Sequence, residues 1–183
     1  MSAEESGLIG YQQTMDWMGS RILTLADIWP NEVRAMIIGL NPAPKSVEAG
    51  HYYQGRYGQR QLGNLAKYGL FSSPGSSTFF EESTLGSGVG FGDLVKRPTV
   101  DEHGPSNAEK EHGRTLLMNA LAERDVPLVI CVFRHPVEAL LGSAGTLGFQ
   151  SRRTEWGARV FRMPGPTAKR EVTEQVMSTL RVE

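Results

Sequence analysis

Apolar and polar positions alternate along this chain in blocks whose periods separate helices from strands. Tyr11, Met15, Met18, Ile22 and Leu25 fall at steps of three or four, which predicts an amphipathic helix over residues 11–27 that Pro30 closes. Arg34-Ala-Met-Ile-Ile-Gly-Leu40 is a short continuous apolar run instead. It predicts a buried strand that stops at Asn41-Pro-Ala-Pro44, where two prolines prevent further pairing. Val126 to Phe133 repeats the pattern, and His135-Pro136 then opens a short helix, Val137-Glu-Ala-Leu-Leu141, that Gly142 can end. Ala158-Arg-Val-Phe-Arg-Met163 reads as a third strand running into Pro164-Gly-Pro166. Ser106 and Glu109 have the spacing of a capping box and start a helix expected to reach about Arg124. Val172, Val176 and Leu180 recur every four residues and predict a last helix with one apolar stripe. Residues 72–90, rich in Gly and Ser, read as an irregular surface segment anchored by Phe79 and Phe80.

Strands alternating with helices imply an α/β fold, a three-layer sandwich with a mostly parallel central sheet of about four strands covered by helices on both faces. No internal repeat and no second-domain boundary is visible, so residues 1–183 are expected to form a single domain. Ligands of such sheets bind at the carboxyl ends of the strands, where both proline-rich loops fall.

Composition narrows the chemistry. Cys131 is the one cysteine and sits inside Val129-Ile-Cys-Val-Phe133, so it reads as a small buried hydrophobe, and it cannot supply a four-cysteine iron-sulfur cluster. His51, His103, His112 and His135 show no paired zinc-site spacing. Neither a metal nor another cofactor is expected. The start Met-Ser-Ala-Glu-Glu has no basic-then-apolar signal, and no window approaches the roughly 18 apolar residues of a membrane span, which points to the cytoplasm and to no membrane partner. A formal net charge of -1 excludes bulk coating of nucleic acid but permits a local basic face.

Three blocks carry a family resemblance. Gly39-Leu-Asn-Pro42, followed by Gly50-His-Tyr-Tyr53, resembles the first active-site motif of the mismatch-specific uracil and thymine DNA glycosylases. Gly90-Phe-Gly-Asp-Leu-Val-Lys-Arg-Pro-Thr99 is similar to a second segment of that family, and Met163-Pro-Gly-Pro-Thr-Ala-Lys-Arg170 stands where its second active-site motif lies; Trp156-Gly157 also fits. The resemblance spans about residues 34–180. It implies a monomeric, cofactor-independent enzyme that hydrolyses the base–sugar bond of uracil, notably in G:U mismatches, or of other damaged pyrimidines in DNA. Two positions depart from the pattern: Gly165 replaces the usual Asn or His, and Asp93 stands where a neutral or basic residue is more common.

Cleaving a glycosidic bond builds positive charge on the sugar and negative charge on the leaving base, so a site needs an anion near the sugar, donors at the base and an oriented water. Asp93 is the expected catalytic carboxylate: at about 4 Å from an oxocarbenium-like sugar it is worth roughly 4 kcal/mol at an effective dielectric near 20, and it can also take a proton from water. The competing reading has Asp93 capping or pairing with Lys96 or Arg97 on the surface. Asn41 is expected to position the water through its oxygen or to donate to a base carbonyl through its nitrogen. With Gly39 and Leu40 forming the motif's backbone, the resemblance makes Tyr53 the aromatic that stacks on an extruded base, while His51 reads either as a donor to the base or as a polar loop residue and Tyr52 packs inward. Lys45 and Ser46 are candidates for phosphate contacts. Thr167, Ala168, Lys169 and Arg170 lead into the last helix, and in the family this loop enters the duplex. Arg152, Arg153, Arg159 and Arg162 read either as an extension of the basic face or as a solvated polar edge. Two other classes stay open: a protein that binds damaged or abasic DNA without cutting, and a hydrolase of free nucleosides.

Overall fold

The computed structural model describes residues 7–180. A five-stranded sheet forms its centre. In chain order it comprises β3 (Ala35–Gly39), β4 (Val89–Asp93), β5 (Leu128–Cys131), β6 (Gly148–Phe149) and β7 (Arg159–Arg162). The spatial order is β4-β3-β5-β7-β6, with the first four parallel and the two-residue β6 antiparallel at the edge. The architecture is therefore the expected mostly parallel α/β sandwich, with a fifth, short strand added. β3, β4 and β5 are buried throughout. Their side chains alternate between two cores: Ala35, Ile37 and Ile130 face one, Met36, Ile38 and Val129 the other.

Helices α1 (Pro44–Ala49), α2 (Arg56–Lys67), α3 (Glu81–Gly86) and α6 (Arg170–Met177) lie on the first face, contributing Val47, Leu62, Leu65 and Met177 to its core. The second face is covered by α4 (Asn107–Glu123) and α5 (Arg134–Leu141), through Leu117, Leu121, Val137 and Leu140. The capping box that starts α4 forms as expected, with Glu109 N donating to Ser106 Oγ and Ser106 N to Glu109 Oε2. Gly142 closes α5 in the left-handed conformation.

The helix expected over residues 11–27 is instead a hairpin, β1 (Gln12–Trp17) paired antiparallel with β2 (Ser20–Leu25). Met18 and Gly19 both take positive φ, the signature of a two-residue turn whose twist matches the flanking strands, and Asp16 accepts from Gly19 N. The three-and-four spacing misleads because Met15 and Ile22 are cross-strand partners and Met18 is the turn tip. The segment 72–90 is also more ordered than expected. Phe80 is buried as an anchor, but Phe79 is exposed, and the segment contains α3 and the start of β4. No helix among the described residues is long and apolar enough to cross a membrane.

Candidate active site

β3 and β4 end side by side, with Gly39 in register with Asp93. Beyond the strand ends the two chains stay joined: Leu94 N donates to Gly39 O, Val95 N to Leu40 O and Thr99 N to Pro42 O. This zipper holds two of the three resembling blocks against each other. A cavity of about 290 Å³ opens there, lined by residues of the β3–α1 loop, the start of α2, the segment after β4, the end of β5 and Pro166. In the four parallel strands the chain runs from β3 outward to β4 and then crosses back to β5 on the other side. The cavity thus sits at the topological switch point, the place where such sheets bind ligands.

Asp93 forms part of the floor and is only 4% exposed. Burial pushes its carboxyl up to about 7; the Asp27 charge acts in the same direction and Lys96 opposes it. The surface pairing weighed from sequence is not formed. Lys96 Nζ bonds Asp27 Oδ1 at 2.5 Å and reaches only the backbone carbonyl of Asp93, at 2.9 Å, while Arg97 is taken by Glu109.

Tyr53 stands beside Asp93. Its phenol is buried without a hydrogen-bond partner, and its ring leans on Phe91 with centroids 5.9 Å apart. A methyl group added to Gly39 would lie 2.5 Å from Asp93 Oδ1 and 2.9 Å from the Tyr53 hydroxyl, so both polar atoms converge over the glycine and require it to lack a side chain. Gly58 of α2 likewise lets the helix backbone close on Tyr53, whose Cβ would be 2.8 Å from a β-carbon there. Tyr53 itself takes positive φ, a strained conformation for an aromatic residue. Burial, followed by the nearby Asp93 charge, raises its phenol well above the usual range, so it meets the cavity as a neutral donor. Tyr52 packs inward as expected, its hydroxyl on Ala26 O.

Asn41 lines the cavity, but its amide nitrogen is committed. Nδ2 donates to Arg97 O at 2.9 Å and to Thr99 Oγ1 at 2.7 Å. The Arg97 carbonyl can only accept, which fixes the orientation of the amide. Asn41 therefore presents Oδ1, the acceptor that can hold a water, and the expected donation to a base carbonyl is closed to it in this geometry. Gln61, missed in the sequence, is buried in the cavity wall and donates through Nε2 to Pro164 O, tying α2 to the loop after β7. Its signal was a glutamine on the same helical stripe as Leu62 and Leu65. Arg56, Tyr57, Thr99, Val132 and Phe133 also line the space and were not singled out.

Other expected site residues fall elsewhere. His51 does not line the cavity: Nδ1 lies 3.1 Å from Glu81 Oε2 and the ring stacks on Phe79 at 3.5 Å, so it secures the α1–α2 connection to α3 and is not placed to donate to a base. Leu40 is buried in the lining. Ser46 also lines the cavity, but it is buried and its Oγ accepts from Gln54 N, which removes it from the role of a surface phosphate contact; Lys45 is exposed. Thr167, Lys169 and Arg170 are exposed and Ala168 half-buried, in a turn closed by Ala168 N on Gly165 O, and Pro166 brings that turn to the cavity. Arg170 pairs with Glu174 along α6. A β-carbon at Gly165 would meet nothing within 4 Å, so the departure there leaves open space. Arg152, Arg153 and Arg162 are held on backbone carbonyls and Arg159 stacks on Phe149 at 4.0 Å, so these four brace the β7–β6 edge of the sheet and its flanking loops. Cys131 is fully buried, and desolvation holds its thiol protonated. Among the described residues no three His, Cys, Asp or Glu side chains are grouped to hold a metal ion.

No protein-family model and no curated protein matches this chain in sequence.

Proposed function

We propose that the protein is a DNA glycosylase of the uracil-removing kind, hydrolysing the N-glycosidic bond of an extruded deoxynucleotide. The observation that carries this reading is Asp93, a buried carboxylate poised near pH 7 at the floor of a one-nucleotide cavity, with the acceptor Oδ1 of Asn41 on the same wall. About 290 Å³ lies just below the roughly 300–1,000 Å³ of small-molecule sites, the size for a single base and sugar. A base inside the duplex cannot reach such a floor, so the substrate has to be flipped out or single-stranded.

In the reaction, water forms a bond to C1′ as the C1′–N bond breaks and its electron pair leaves with the base. Ionised Asp93 stabilises the sugar cation and accepts the proton of the attacking water, which Asn41 Oδ1 orients. The exposed turn of Thr167, Lys169 and Arg170 at the cavity edge supplies the approach to the DNA strand.

The test is abasic-site formation in a labelled duplex with one G:U mismatch, read by alkaline cleavage. Strand breakage at the uracil supports the reading. Tight binding without cleavage of uracil or any damaged base removes it in favour of a damage-binding protein, and activity confined to free deoxyuridine makes it a nucleoside hydrolase.

A further inference from the structure

A leaving base that departs as an anion needs hydrogen-bond donors, and the buried side chains of this cavity have committed most of theirs, while Arg56 and Tyr57 are exposed at its opening. Both hydrogens of Asn41 Nδ2 are used, Gln61 Nε2 gives one of its two to Pro164 O, Thr99 Oγ1 donates to Asp101 O and the Tyr52 hydroxyl to Ala26 O. His51 is outside, and Gly165 offers no side chain. The Tyr53 hydroxyl is the buried donor that stays unpartnered.

Negative charge, in contrast, is well represented. Asp93 lies at the floor and Asp101 and Glu102 at the mouth, against Arg56 as the single cationic side chain of the lining. Four aromatic rings join aliphatic side chains such as Leu25, Leu40 and Val132 in the rest of the lining, with Tyr52 and Tyr53 deep and Tyr57 and Phe133 exposed at the opening. Carboxylates and aromatic rings lining one space suit a delocalised cation, because ring quadrupoles and anions both attract positive charge in a desolvated space.

Resting on the glycosylase reading, we infer that the site accepts bases that carry a positive charge before cleavage, the ring-N-alkylated purines and pyrimidines of methylated DNA. Such a base departs neutral: the C1′–N electron pair cancels the ring charge, water oxygen bonds to C1′, and the water proton passes to Asp93. No donor is then required at the leaving group. The charge of the base also lies between the aromatic walls and the floor carboxylate in the ground state, and the same carboxylate takes up the sugar charge in the transition state.

The experiment treats duplex DNA with a methylating agent and measures 7-methylguanine and 3-methyladenine released by the protein, by mass spectrometry, above the spontaneous rate. A G:U duplex is run in parallel. Release of the methylated bases at least tenfold faster than uracil, lost in Asp93→Ala, is the expected result. Uracil release without methylated-base release overturns the inference and keeps the glycosylase reading. Release of neither overturns both.

Discussion

Asp93 and Glu109 are both buried carboxylates close to the same loop, 4% and 7% exposed, and their surroundings drive them in opposite directions. Glu109 accepts from Arg97 Nε and Nη2, from Trp17 Nε1 and from Ser106 N, and its carboxyl falls to about 2, chiefly through the Arg97 hydrogen bonds. Asp93 has burial and another acid against it, and rises to about 7. One carboxylate is surrounded by donors and fastens the hairpin, the 97–104 loop and α4 together. The other is left poorly solvated where a substrate would sit. Burial alone thus says little about role; the supply of donors separates a structural acid from a reactive one.

The strongest way to break this contrast is to remove each acid. Asp93→Ala is expected to lower the single-turnover rate on the cleaved substrate by about a hundredfold or more with DNA binding retained. Asp93→Asn should lose activity as well but gain stability, because the fold disfavours the ionised form. A shift from 3.8 to about 7 corresponds to a gain on the order of 2–4 kcal/mol above pH 7, read from urea unfolding. The sign follows from the raised folded pKa: the native protein holds its proton more tightly, so the stability present below about pH 4 is lost as pH rises to 7. The advantage of the Asn variant should therefore shrink to nothing as pH falls from 7 to about 4.

Glu109→Ala should do the reverse. Leaving Arg97 and Trp17 without their acceptor is expected to cost about 2–3 kcal/mol, toward the lower range for broken buried pairs because Arg97 is partly exposed. The rate of the protein that remains folded should change little. A hundredfold rate loss in folded Glu109→Ala, or none in Asp93→Ala, removes the distinction.

The pH dependence sharpens it further. Activity requiring ionised Asp93 should rise roughly tenfold per pH unit below the midpoint and level off above about pH 7, and the limb should vanish in Asp93→Asn. A flat profile between pH 5 and 8 counts against the carboxylate as base.

The smallest effect is expected from Tyr53→Phe. Its hydroxyl has no protein partner, so its loss should leave stability unchanged or improved by up to about 1 kcal/mol, while removing a donor to an anionic leaving base should cost about three- to tenfold in the rate on uracil. A stability loss with no rate change makes the hydroxyl structural.

Much of the fold was legible because its signals are local. Continuous apolar runs marked β3 and β5, a short run ending at Pro164-Gly-Pro166 marked β7, and the Ser106–Glu109 box marked the start of α4. The hairpin was not legible: its apolar spacing satisfies a helical period, and the preference of Met18-Gly19 for a tight turn is realised only by pairing and by burying Trp17 against the second core. Within the site, Asp93, Asn41 and Tyr53 stood in recognisable blocks. Gln61 did not, since a glutamine inside an unremarked helix acquires meaning only when α2 reaches the loop after β7.

The sequence by itself determined the residue types that meet at the strand ends, the glycine that lets them approach and the absence of a cysteine set for a cluster, because covalent chemistry and short-range backbone preference are written residue by residue. Tertiary structure decided what those residues are able to do. It spent the nitrogen of Asn41 on Arg97 O and Thr99, took His51 out of the cavity, and kept Lys96 on Asp27 instead of on the carboxylate of Asp93. Protonation and hydrogen-bond polarity depend on which groups are excluded from water together, and that is a property of the assembled neighbourhood, which a linear pattern does not contain.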